Sequence, residues 1–174
     1  MRIQEGILSF DFETDDGSLV SKYDDWIFYR HHFCKLANGV KAVDFVYVDQ
    51  TQRCTWLIEV KDYRHPQTEQ IKPSELADAV ALKVRDTLAG LVAAKCNANK
   101  DEERDLSCAA LTMNKFNVVL HMEQIKRVWS IDPADLQLKL KQKLKAVDAH
   151  SKVVSKDSLK SNMRWSIVQS VWIE

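Results

Sequence analysis

Three residues stand out for the chemistry they could do together: Asp44, Glu59 and Lys61. Asp44 lies inside the apolar run AVDFVYVD, and Glu59 and Lys61 lie inside TWLIEVK. An isolated carboxylate within an apolar strand is costly to bury, and a bound cation or a nearby lysine relieves that cost. Side chains alternate along a strand, so Glu59 and Lys61 emerge on one face while Ile58 and Val60 face the other way. If the two runs pair, Asp44 can lie next to Glu59. Two carboxylates converging on one point, with water completing the shell, suit Mg²⁺ or Mn²⁺, and the backbone carbonyl of Val60 could add a ligand. In such a site the ion polarises a phosphoryl group, and a lysine orients the attacking water or stabilises developing negative charge.

The elements that must position these residues can be read from the pattern. Ala42 to Asp49 and Thr55 to Lys61 are β-branched and aromatic runs joined by Gln50, Thr51, Gln52 and Arg53, which predicts an antiparallel hairpin. Both faces of each strand are apolar, which places the pair centrally in a sheet covered on both sides. Leu8, Phe10 and Phe12 alternate with polar residues, so Ile3 to Phe12 reads as a first strand. Ser21 to Leu36 leans towards a helix capped by Asp24 or Asp25. Asn38 and Gly39 form a turn.

From Ser74 to Ala94 the stripe Leu76, Val80, Val84, Leu88 and Leu91 predicts an amphipathic helix with Ser74 as cap. Lys83 borders that stripe and could reach back to the carboxylates; the commoner arrangement spreads such a stem over the core and exposes the ammonium. Asn97 to Arg104 reads as a polar loop, and Phe116 to Met122 as a strand. Asp132 and Pro133 open a second helix with Leu136, Leu140, Leu144 and Val147 on its buried face. Ser151 to Ser161 reads as an exposed, mobile link, and Arg164 to Ile173 as a last strand.

The two halves, VDF with Asp44 and LIEVK with Glu59 and Lys61, followed by an amphipathic helix and a strand, resemble the D…(D/E)xK signature of the PD-(D/E)XK, or restriction-endonuclease-like, nucleases. The likeness covers about Val40 to Met122. It implies an α/β (α+β) fold, a mixed central β-sheet flanked by α-helices, over a single domain of residues 1–174. It also implies hydrolysis of nucleic-acid phosphodiester bonds, DNA in the first place, with Asp44 and Glu59 binding Mg²⁺ or Mn²⁺ and Lys61 assisting the water. Val43 stands where the superfamily name has proline. Many members add a glutamate from a helix before the hairpin; here that segment offers Asp24 or Asp25, with Glu5 and Glu13 in or near the first strand. The rival reading is a structural ion cluster on a nuclease-like fold that has lost activity and serves as an interaction module.

Composition narrows the alternatives. The 174 residues carry 25 basic and 25 acidic side chains, a formal net charge of zero, so no strongly basic surface advertises phosphate binding. Cys34, Cys54, Cys96 and Cys108 lack metal-ligand spacing, and MRIQEGILSF is not a secretory signal, which together predict a cytoplasmic protein without a membrane span. His31, His32 and Cys34 are adjacent in sequence but face different directions. Arg64 or His65 could touch a phosphate at the mouth of the site. Trp56, Trp129, Trp165 and Trp172 suit a core or an interface. Cutting a duplex would favour a homodimer, the tail SVWI could pair with another chain, and as an interaction module the chain could be a subunit of a larger complex.

Overall fold

The computed structural model describes residues 1–64, 71–125 and 131–169. It is a mixed α/β arrangement of two sheets and four helices. The five-stranded sheet runs in the order β3 (Leu19–Lys22), β4 (Phe45–Asp49), β5 (Cys54–Tyr63), β6 (Lys115–Gln124), β7 (Lys152–Val154). The first three strands are antiparallel neighbours, whereas β5, β6 and β7 are mutually parallel. A second sheet has β2 (Leu8–Phe12) between β1 (Arg2–Glu5) and β8 (Trp165–Gln169), all antiparallel.

Strands β4, β5 and β6 send alternate side chains to two different cores, which is why their sequences are apolar on both faces. Val46, Val48, Leu57, Val118 and Leu120 pack towards the helices. Phe45, Tyr47, Trp56, Ile58 and Val119 pack against Leu8, Phe10, Phe12 and Trp165 of the smaller sheet. The central sheet is thus a middle layer with helices on one side and three strands on the other.

The long helix α2 (Pro73–Asn97) buries Leu76, Ala77, Val80, Val84, Leu91 and Ala94 against the sheet and packs beside α3 (Asp101–Thr112) and α4 (Pro133–Leu144). Its cap is Lys72 with Pro73 in the first turn, and Ser74 does not cap it. In α4 the Asp132 carboxylate accepts the Ala134 N–H at 2.9 Å and Leu136, Leu140 and Leu144 form the buried stripe, which ends before Val147.

Several expectations change. Ile3 to Phe12 is a hairpin rather than one strand, because Gly6 at φ 57° reverses the chain between β1 and β2. Residues 21–36 do not form one helix: β3 ends at Lys22, a single turn covers Tyr23–Asp25, Trp26 caps the short α1 (Ile27–His31), and another turn follows at Phe33–Lys35. Its aromatic residues are too closely spaced for one helical face, and Tyr23, Trp26, Phe28 and Phe33 are all buried in the helical-side core. The loop expected to reach Arg104 gives way to α3, whose buried face begins with Glu103 and includes Ser107, so hydrophobic period alone could not reveal it. The link expected to be mobile contains β7, and Ser151 and Val154 within it are buried. Residues 170–174, with Trp172, and Trp129 lie outside the described residues, as does His65.

Candidate functional site

Asp44 immediately precedes β4, and extending the pairing of Phe45 with Ile58 by one residue sets it opposite Glu59. The backbone holds it there: its N–H donates to the Ile58 carbonyl at 3.1 Å, and its carbonyl accepts the Tyr23 N–H at 2.8 Å. Its side chain is held as well, since Oδ2 accepts the Val60 N–H at 2.6 Å. Val60 therefore meets Asp44 through its amide group. Glu59 and Lys61 lie on the helix-facing side of β5, and Lys61 Nζ is 2.8 Å from Glu59 Oε1. The structure brings Asp44, Glu59 and Lys61 into one cluster.

Lys83 completes it from α2. Its ammonium donates to Glu59 Oε1 at 2.6 Å and Oε2 at 2.8 Å, and lies 3.9 Å from Asp44 Oδ1. The side chain reaches inward instead of exposing its ammonium, contrary to the commoner pattern. Glu59 is fully buried, and two lysines neutralise it. Lys61 retains a side chain 36% exposed and is the most open member of the cluster, against 21% for Lys83. Burial pulls the Lys61 pKa down, but the charge and hydrogen bond of Glu59 outweigh it and leave the pKa raised, so Lys61 is an ammonium at neutral pH.

On the other side of Asp44 stand two further carboxylates. Glu5, the last residue of β1, and Asp24, in the turn after β3, each offer an oxygen that lies with one from Asp44 in a group whose members are all within 4.8 Å of one another. Asp24 Oδ1 is buried without a hydrogen-bond partner. Glu5 Oε2 is 2.8 Å from Lys22 Nζ, an ion-pair distance without hydrogen-bond alignment. Burial, then the charge of Glu59, raises the Asp44 carboxyl to about 7, with Lys83 and the Val60 N–H pulling the other way. Burial chiefly raises Asp24 too. Two carboxyls that resist ionisation, Asp44 and Asp24, the latter with an orphaned buried oxygen, fit a hard cation taking oxygen ligands. The sequence put Glu5 in or near the first strand but could not bring it to Asp44, because it arrives from the separate sheet.

The other candidates stay apart. Asp62 and Arg64 point away from Glu59 by strand alternation and pair with each other, Nη2 to Oδ2 at 2.6 Å and Nε to Oδ1 at 2.8 Å. His31 and His32 are exposed, and the Cys34 thiol donates to the Arg30 carbonyl at 3.0 Å. Trp56 and Trp165 are core residues, packed edge to face. Among the described residues no helix is long and apolar enough to cross a membrane.

No family model matches the chain, and no solved structure matches it. Over 173 aligned residues the chain is 35% identical to a protein of Neisseria meningitidis serogroup A named cysteine–tRNA ligase. That alignment takes in 82% of this chain but 24% of the relative, so the chain spans about a quarter of the length of the protein it matches.

Proposed function

We propose that the protein is a metal-dependent nuclease of restriction-endonuclease-like fold, cleaving phosphodiester bonds at the Asp44 centre. One observation carries this: Asp44 lies opposite Glu59 across paired strands, with Lys61 on the same face and open to solvent. The antiparallel β3–β4–β5 succession, followed by α2 and a β6 parallel to β5, supports the fold assignment.

Asp44 would hold a Mg²⁺ or Mn²⁺ ion, with Glu5 and Asp24 as further donors within reach. The ion would supply Lewis-acid polarisation of a phosphoryl oxygen. Lys61, as an ammonium, donates to a phosphate oxygen or to the attacking water, and its charge opposes the negative charge that accumulates as the new P–O bond forms. Its raised pKa makes it unsuited to removing a proton from water. The Val60 N–H keeps Asp44 in register with the strand that carries Lys61, so the two groups act at a fixed separation.

DNA remains the first substrate to test, and the name of the Neisseria relative adds tRNA to the set. Labelled single-stranded DNA, duplex DNA, RNA and tRNA are incubated with Mg²⁺, Mn²⁺ or EDTA, and the native protein is compared with a folded Asp44→Asn variant. The reading requires ion-dependent cutting of at least one substrate that the variant loses. It fails if no substrate is cut, or if the variant cuts equally well.

A second reading, an inactive fold serving as an interaction module, is favoured by one feature: Glu59 has both oxygens engaged by lysines. That reading requires that Mg²⁺ and Mn²⁺ leave the melting temperature unchanged.

A further inference from the structure

The Lys83 ammonium occupies the space that an ion shared by Asp44 and Glu59 would need. It contacts both oxygens of Glu59, at 2.6 and 2.8 Å, and stands 3.9 Å from Asp44 Oδ1. A divalent ion bridging the two carboxylates would lie roughly 2.1 Å from an oxygen of each. An ammonium and a divalent ion cannot both fill that gap, since the repulsion of like charges in a buried setting is large. Lys83 is also firmly placed, between Val80 and Val84, which are buried in the middle of α2.

The two carboxylates are therefore unequal. Glu59 is fully buried and already meets two ammonium groups. Asp44 has one backbone donor on Oδ2, and among the described residues the ammonium nearest its Oδ1 in an ion pair is Lys83, at 3.9 Å. We infer that Lys83 is a positioning residue that keeps Glu59 out of the metal shell, so that the ion binds on the Glu5 and Asp24 side of Asp44. The inference rests on the reading that the Asp44 centre takes a divalent cation. It assigns Glu59 the task of holding Lys61 and Lys83 in place, and it makes Lys83 the determinant of which carboxylates bind metal.

The test begins with the native chain, so that no variant need fold. Mg²⁺ is titrated while the side-chain carboxyl carbons are followed by NMR; the Asp44 signal moves to saturation and the Glu59 signal does not. Mn²⁺ affinity, read by electron paramagnetic resonance, then changes by less than threefold in Glu59→Gln. In Lys83→Met, Glu59 is released, and adding Glu59→Gln to that variant weakens Mn²⁺ binding tenfold or more. A Glu59 signal that moves together with that of Asp44, or a threefold or greater loss of Mn²⁺ affinity in Glu59→Gln alone, overturns the assignment. If the native chain binds neither ion, the metal-dependent reading fails by itself. Lys83 is then judged by Lys83→Met: binding gained there supports its role, and continued failure to bind overturns it.

Discussion

The Val60 N–H donates to Asp44 Oδ2 at 2.6 Å, so a side chain just ahead of β4 takes up a backbone group of β5. The bond fixes the acidic residue to the strand that carries Glu59 and Lys61. Burial and the neighbouring Glu59 raise the Asp44 pKa, while this bond and Lys83 pull the other way.

The contribution of Asp44 to stability should therefore fall as pH rises from about 4 to about 7. Asp44 ionises at 3.8 when unperturbed and at about 7 in the fold. Between those values the folded state binds more protons than the unfolded state, which makes the slope of stability against pH negative. Asp44→Asn keeps an oxygen for the Val60 N–H and removes the titration. Urea unfolding at pH 5 and pH 8 should show a smaller loss in the variant than in the native protein; equal losses would remove Asp44 as the cause.

Divalent ions should reverse that loss. Deprotonated Asp44 is the form that binds a cation, so Mg²⁺ or Mn²⁺ should raise the melting temperature more at pH 8 than at pH 5.5. At about 100 times the dissociation constant the gain is about 2.7 kcal/mol. EDTA should abolish it, and Glu5→Gln or Asp24→Asn should reduce it. A shift independent of both carboxylates would place the ion elsewhere.

Gly90 is the point where α2 lets the Tyr23 ring through. A Cβ there would collide with the Tyr23 hydroxyl and meet the Phe33 ring at 3.3 Å. Gly90→Ala should cost about 1–3 kcal/mol, the usual range for overpacking. The Tyr23 hydroxyl is buried without a hydrogen-bond partner, so Tyr23→Phe should be tolerated and should recover part of the loss. Chemical denaturation of both single variants and the double variant measures the coupling, and strict additivity would refute the collision.

Glu103 of α3 caps α1 from a distance, its carboxylate accepting the N–H groups of Ile27 at 2.8 Å and Phe28 at 3.1 Å. Glu103→Ala should cost about 1–2 kcal/mol and speed amide exchange in α1, while Glu103→Gln should retain part of the cap. Unchanged exchange at Ile27 and Phe28 in the alanine variant would show that the cap is dispensable.

The central hairpin was legible because β4 and β5 are apolar on both faces, and Asp44, Glu59 and Lys61 stood out against that background. Helices α2 and α4 were legible from Leu76, Val80 and Val84 and from Leu136, Leu140 and Leu144. Glu103 hid α3, since a carboxylate that faces inward to cap another helix looks like solvent-facing charge. Three-residue β7 is too short to carry a period. Glu5 and Lys83 reach the site through tertiary packing, from β1 and from the middle of α2; the apolar stripe marked Lys83 as able to reach back, while Glu5 could be placed only near the first strand.

The smaller sheet has a bearing on when the site can exist. Glu5 belongs to β1, β1 pairs with β2, and the other edge of β2 pairs with β8 at residues 165–169. A two-stranded hairpin is marginal alone, and a third strand with an apolar face secures it. β8 is synthesised more than 150 residues after Glu5, so the acidic group is expected to mature only once β8 has been made. Until then a growing chain would lack a secured Glu5 beside Asp44. A chain stopped before Trp165 should bind Mn²⁺ weakly; full affinity in such a chain would show that the hairpin holds Glu5 unaided.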